Sequence, residues 1–179
     1  MQRFFKDQGH LPGGLADAFF LSANHITKGI GMIATVQNVI FAGRQNIPWN
    51  DVEKYLKRYV GQDIQVKATE DSIHIGGEFP DEYTESRYTK KLRGALAKAK
   101  ANAATIIREI VENADNRRWI ENKEDKHIKD APDGWYRYDS YFGMPVQGSQ
   151  EECVRINVYK VTLVVRIQKK SCFYMTWLK

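Results

Sequence analysis

One stretch constrains the fold of this chain more than any other. Between Ser86 and Arg108 stand Arg87, Lys90, Lys91, Arg93, Lys98, Lys100 and Arg108, and no acid. Apolar residues recur through the same stretch at Tyr88, Leu92, Ala95, Leu96, Ala99, Ala103, Ile106, Ile107 and Ile110. Steps of three and four place them on one side of a helix, and Ala, Leu, Lys and Arg all favour that conformation. The spacing predicts one long helix over residues 86–111, capped by Ser86 or Thr89. Leu92, Leu96, Ala99, Ala103, Ile107 and Ile110 then need a sheet to cover them, and the other face carries a dense positive field. Like charges at i,i+3 and i,i+4 cost about 0.2–0.5 kcal/mol per pair, a repulsion that an anionic partner would offset.

The flanking segments supply the rest of the layer. Residues 47–61 open with Pro48, then Asn50 as N-cap and Glu53 three positions on, a capping-box pattern. Val52, Tyr55, Leu56 and Tyr59 form one apolar face, and Gly61 stops the helix. Ile64, Val66 and Ala68, then Ile73 and Ile75, alternate with polar residues about a turn at Glu70-Asp71, which predicts a hairpin. Residues 117–134 read as a polar loop closed by Pro132-Asp133-Gly134. Three extended segments follow: residues 135–146, residues 154–167 with a bulge expected near Tyr159-Lys160, and residues 172–178. The order predicts an α+β fold, with N-terminal helices, a β-hairpin and a long basic helix packed on a C-terminal antiparallel sheet.

The N-terminal part is harder to place. Leu15, Ala18, Phe19, Ser22 and Ile26 keep helical spacing, so a first helix to about residue 28 is expected. Residues 32–42 are apolar and fit either helix or strand. The division is an N-terminal helical appendage over 1–44 and an α+β domain over 45–179.

Composition narrows the function classes. With 179 residues, 42% of them hydrophobic, the chain can bury a core. A net charge of +5 excludes a DNA mimic and permits nucleic acid or an acidic protein surface as partner. Cys153 and Cys172 are the two cysteines and form no C-x-x-C pair, so neither a metal site nor a disulfide scaffold is expected. A cytoplasmic location is expected from that cysteine usage, from an N-terminal segment without a long apolar run, and from the lack of any stretch of roughly 18 apolar residues. No nucleotide loop or Ser-His-Asp spacing points to a kinase, hydrolase or oxidoreductase, and no cofactor is expected. His10, His25 and His74 read as incidental.

Several segments carry a resemblance. Residues 47–61 (Ile-Pro-Trp-Asn-Asp-Val-Glu-Lys-Tyr-Leu-Lys-Arg-Tyr-Val-Gly), Phe79-Pro80-Asp81-Glu82-Tyr83, the Lys98–Ala103 run, Lys126-His127 and Gly134-Trp135-Tyr136-Arg137-Tyr138 lie in one order. Together they resemble the large polyvalent protein-associated domain of bacteriophages and conjugative elements. The resemblance covers about residues 45–167; residues 172–179 depart from it. As a stand-alone chain the protein also resembles small basic anti-CRISPR proteins. The resemblance implies a counter-defence role in a bacterial host cell, with a host CRISPR-type nuclease or its nucleic acid as partner. The element order is also similar to the barnase–EndoU–colicin–RelE group of RNA-cleaving folds.

Two site sets follow. A non-enzymatic inhibitor would bind through Arg87, Lys90, Lys91, Arg93, Lys98 and Lys100, with Trp135, Tyr136, Tyr138 and Tyr141 as stacking or anchoring aromatics. A metal-independent ribonuclease would need a base, an acid and a cation for the phosphate, drawn from His127, Arg137 and Tyr138 with Lys126 or Glu82. A structural or assembly part of a mobile element is the third reading.

Overall fold

The computed structural model describes residues 19–21, 33–42, 46–122, 133–146, 155–167 and 175–178. The first described helix, α1 (Trp49–Leu56), buries Val52 and Leu56. It starts two residues earlier than the capping box would have it. The Pro48 carbonyl accepts from the Asp51 and Val52 N–H groups at 2.9 and 3.2 Å, so Asn50 lies inside the first turn and no side chain caps the end. Proline's fixed φ suits it to a helix entrance, and it has no N–H to lose. A 3-10 turn over Lys57–Tyr59 continues α1, and Gly61 leaves it at φ +81°.

The hairpin forms as the alternation predicts. Strands β3 (Asp63–Gln65) and β4 (Ser72–His74) pair antiparallel with Ile64 opposite Ile73, both fully buried. Glu70 takes φ 59° in the connecting turn.

The long basic helix is not continuous. The run comprises α2 (Phe79–Glu85), α3 (Arg87–Lys91), α4 (Gly94–Ala103), a 3-10 turn over Ala104–Ile106, and α5 (Ile107–Glu112). Two extended residues, Leu92 and Arg93, break it, and Gly94 follows at φ +56°. A left-handed residue at that point favours glycine, which has no Cβ to clash. Ser86 caps α3, its hydroxyl accepting from the Thr89 N–H at 3.2 Å. At the other end of α3 the Arg93 guanidinium donates to the Lys90 and Leu92 carbonyls, at 2.8 and 2.7 Å. The break makes α3 and α4 separate helices. Ala99, Ala103, Ile107 and Ile110 are buried as expected, whereas Leu92 and Leu96 are only half-buried.

The main sheet is built on two long strands, β6 (Trp135–Pro145) and β7 (Ile156–Arg166). They pair antiparallel without interruption from Trp135–Arg166 to Pro145–Ile156, so the bulge expected near Tyr159-Lys160 is absent. The alternation blurs there because parts of both faces of β7 are buried, Val158 and Val164 on one and Tyr159, Val161, Leu163 and Val165 on the other. The other edge of β7 pairs with β1 (Phe19–Leu21) and β8 (Met175–Leu178), both antiparallel. The other edge of β6 pairs with β2 (Ala34–Thr35), parallel, and β5 (Asp115–Ile120), antiparallel.

Two sequence expectations change here. Residues 19–21 form a strand rather than part of a helix, and residues 115–120, expected to run from a fraying helix into a polar loop, form an edge strand. Ala34, Val36 and Phe41 join the core, so that part of the expected appendage is integral to the fold. Asn102 of α4 holds it there. Its side chain accepts from the Phe41 N–H at 3.1 Å and donates to the Phe41 carbonyl at 3.1 Å, as a neighbouring strand would.

The sheet thus has two unlike faces. By register, Tyr136, Tyr138, Ser140, Phe142 and Met144 share one face with Val165, Leu163, Val161 and Tyr159. That face meets the helices; the Ser140 hydroxyl donates to the Ile110 carbonyl of α5 at 2.8 Å. Trp135, Arg137, Asp139 and Tyr141 point to the outer face.

Candidate nucleic-acid interface

The basic residues of the predicted helix divide between surface and core. Arg87, Lys90, Lys91 and Arg93 are exposed on α3 and just past its end. Among the described residues none of the four has an ion-pair partner. Lys90 and Lys91 sit in the last turn, where the helix dipole favours cations. The break after α3 therefore gathers four positive charges into seven residues of one short, capped segment.

Lys98 is half-buried on α4 and Lys100 is buried outright, 6% exposed. Lys100 is thus no part of a positive surface. Its ammonium donates to the Thr89 hydroxyl at 2.5 Å and lies 4.6 Å from the Tyr83 ring centre and 5.6 Å from that of Tyr88. Burial lowers its pKa to about 7. The hydroxyl of Tyr83 donates to the Lys100 carbonyl, and the Thr89 hydroxyl donates to the Tyr83 carbonyl at 2.7 Å. Lys100 and Thr89 together pin α4, α3 and α2 around the break.

The aromatic set divides as well. Tyr138 is fully buried on the helix face, and its hydroxyl donates to Asp71 at 2.9 Å. Burial, with that hydrogen bond second, raises its phenol well above the usual range. Arg117 donates to the other oxygen of Asp71 at 2.6 Å and lies 5.1 Å from the ring centre of Tyr136, which is half-buried beside Tyr138. Tyr136 and Tyr138 are therefore packing residues, and Tyr138 is unavailable to a ligand. Trp135 and Tyr141, half-buried, stand on the outer face.

That face also carries a charged cluster. Arg118 of β5 forks onto Asp139 through two hydrogen bonds of 2.9 and 2.7 Å. Asn116 donates to the same carboxylate at 2.9 Å, and the Lys160 ammonium lies 3.4 Å away. Led by the Arg118 hydrogen bond, these groups hold the buried Asp139 down to about 2. Arg137 stands opposite Arg118 in the strand register.

The ribonuclease set does not converge. Arg137 and Tyr138 are neighbours on one strand and face opposite sides of the sheet. Glu82 pairs with Arg166 near the start of α2. Lys126 and His127 lie outside the described residues. Among the described residues no three His, Cys, Asp or Glu side chains group as metal ligands, and no helix is long and apolar enough to cross a membrane.

Sequence reasoning passed over Arg118, Lys160 and Trp119. Trp119 is the most exposed large hydrophobic residue described, at 57%, and its indole N–H donates to the Asp133 carbonyl at 3.1 Å. The adjacent pair Arg117-Arg118 beside a tryptophan was the available signal, masked by the assignment of residues 117–134 to a loop. No family model matches the chain, and neither a curated protein nor a solved structure matches it.

Proposed function

We propose that the protein is a non-enzymatic inhibitor that serves a phage or conjugative element by binding the nucleic acid of a host CRISPR-type nuclease. One observation carries the binding reading: Arg87, Lys90, Lys91 and Arg93 are crowded on a short exposed segment with no acid among them. Such a segment is costly in isolation and gains affinity for a polyanion by releasing its counterions. The setting rests on the sequence resemblance. The absence of convergence between Arg137 and Tyr138 supports binding over cleavage.

Fluorescence anisotropy with labelled single-stranded RNA and duplex DNA tests this reading. Binding should weaken at least about tenfold between about 50 and 200 mM salt. Replacing Arg87, Lys90 and Lys91 together by glutamine should weaken it further with the melting temperature unchanged or raised. Equal binding by that variant at both salt concentrations would remove α3 as the binding element. Cutting of the RNA by purified protein would restore the ribonuclease reading.

A further inference from the structure

The outer face of the main sheet holds a second arrangement suited to a ligand. Trp135, Arg137, Asp139 and Tyr141 follow one another on β6, with Arg118 opposite Arg137 on β5 and Lys160 opposite Tyr141 on β7. Asp115 stands opposite Asp139 on β5, and the Asp139 carboxylate is shared by two of the cations, Arg118 and Lys160. That carboxylate is spoken for: Arg118 grips it with two nitrogens, and Asn116 and Lys160 take the rest. Arg137 forms no ion pair among the described residues. Its Nε is buried and has no hydrogen-bond partner. A guanidinium held half-buried beside another guanidinium, with a buried donor unmet, is an arrangement that folding alone does not reward.

We propose that this outer face binds the phosphodiester backbone of single-stranded nucleic acid, with a phosphate seated at Arg137 between Arg118 and Lys160. A phosphate oxygen would accept from the outer N–H groups of the half-buried Arg137 guanidinium rather than from the buried Nε. Asp139 keeps Arg118 and Lys160 in position, so their ordering is complete before the ligand arrives. The carboxylates of Asp139 and Asp115 also stand on this face and repel an anion; with Arg118, Arg137 and Lys160 the cluster keeps one net positive charge.

The aromatic residues choose the form of nucleic acid. Trp135 and Tyr141 lie on the same face, on either side of the cluster, three same-face steps of ~7 Å apart along the strand. The Lys160 ammonium lies 6.0 Å from the Tyr141 ring centre, and the Arg166 guanidinium 5.8 Å from that of Trp135. Rings flanking a phosphate seat on a sheet stack unpaired bases, which a duplex does not offer. The site lies on the β5–β6–β7 surface and uses none of the α3 cations. It rests on the nucleic-acid reading above but is a separate contact.

The test uses the full chain and a fluorescein-labelled oligouridine, with the matching duplex and inorganic phosphate as competitors. Arg137→Gln should weaken oligouridine binding at least about fivefold and lower the salt slope by about one phosphate contact. Its melting temperature should not fall, because Arg137 makes no hydrogen bond through Nε in the fold. Arg137→Lys keeps the charge and loses the fork, and should fall between the two. Tyr141→Leu should weaken oligouridine binding and leave competition by inorganic phosphate unchanged.

Equal affinity of Arg137→Gln and the parent overturns the proposal, as does preference for the duplex. If Arg137→Gln melts lower, Arg137→Lys decides: an affinity equal to the parent's, with normal melting, overturns it. The α3 glutamine variant separates the two readings. Loss of binding in that variant alone removes the outer-face site and leaves the proposed function standing. Loss in Arg137→Gln alone does the reverse for α3.

Discussion

Replacing Lys100 by methionine should make the protein more stable, by an amount that depends on pH. The ammonium is buried against Tyr83 and Tyr88 with the Thr89 hydroxyl as hydrogen-bond acceptor, and burial lowers its pKa from 10.5 to about 7. In the unfolded chain the amine keeps its proton up to about pH 10.5; in the folded chain it gives it up near 7. Between those values the unfolded state binds more protons, so wild-type stability rises with pH across the window. The cost of burying the charged form is complete below about pH 7, and the shift sets its upper limit at about 5 kcal/mol. From pH 6 to pH 9 the wild type should regain about 2–3 kcal/mol of it.

Methionine fills a similar volume and carries no charge. It gives up the bond to Thr89 and the contacts with the two rings, which together offset about 1–2 kcal/mol. Thr89 is not orphaned, because it still donates to the Tyr83 carbonyl and shares a 2.8 Å hydrogen bond with Ser86. The variant should therefore exceed the wild type by about 3 kcal/mol at pH 6 and by less than about 1 kcal/mol at pH 9. Urea denaturation followed by tryptophan fluorescence at pH 6, 7.5 and 9 measures this; titrations common to both proteins cancel in the difference. A difference that does not change with pH would refute the burial argument. A variant less stable at every pH would show that the hydrogen bond and ring contacts outweigh the desolvation.

Two further substitutions probe the packing. Asn102→Ala removes both hydrogen bonds to the Phe41 backbone and leaves its buried N–H unmet; it should cost about 2–3 kcal/mol in urea denaturation and speed amide exchange in residues 33–42 more than in β6. Asp139→Asn should cost about 1–2 kcal/mol at pH 7 by loosening Arg118 and Lys160. The folded pKa of Asp139 is about 2, below the ordinary 3.8, so its contribution is present above about pH 4 and lost as pH falls toward 2. The asparagine variant should therefore lose less stability over that acid range than the wild type does. A parallel acid limb in both proteins would show that the carboxylate is not stabilised by its partners.

Much of the architecture follows from short-range patterns. Alternation and a turn at Glu70-Asp71 are enough to make β3 and β4, and the apolar spacing after Pro48 is enough to make α1. The three C-terminal strands are legible because each runs between turn-forming or polar segments. The period of two also implies, once the strand is granted, that Trp135 and Tyr141 part company from Tyr136 and Tyr138.

Other features depend on neighbours distant in sequence. Residues 86–111 keep helical spacing throughout, and the break at Leu92-Arg93 leaves that spacing intact. Gly94 permits the break; the docking of Thr89 and Tyr83 on Lys100 selects it. Lys100 looks like its neighbours in sequence, and only the side of α4 that meets α2 and α3 makes it a buried amine. Likewise β5 is exposed along nearly its whole length and needs no apolar alternation; pairing with β6 makes it a strand. The sequence by itself determined which segments are regular, because backbone propensity and side-chain period act over a few residues. The tertiary structure decided which charges reach water and which cations converge, because burial and pairing join residues that the chain keeps far apart.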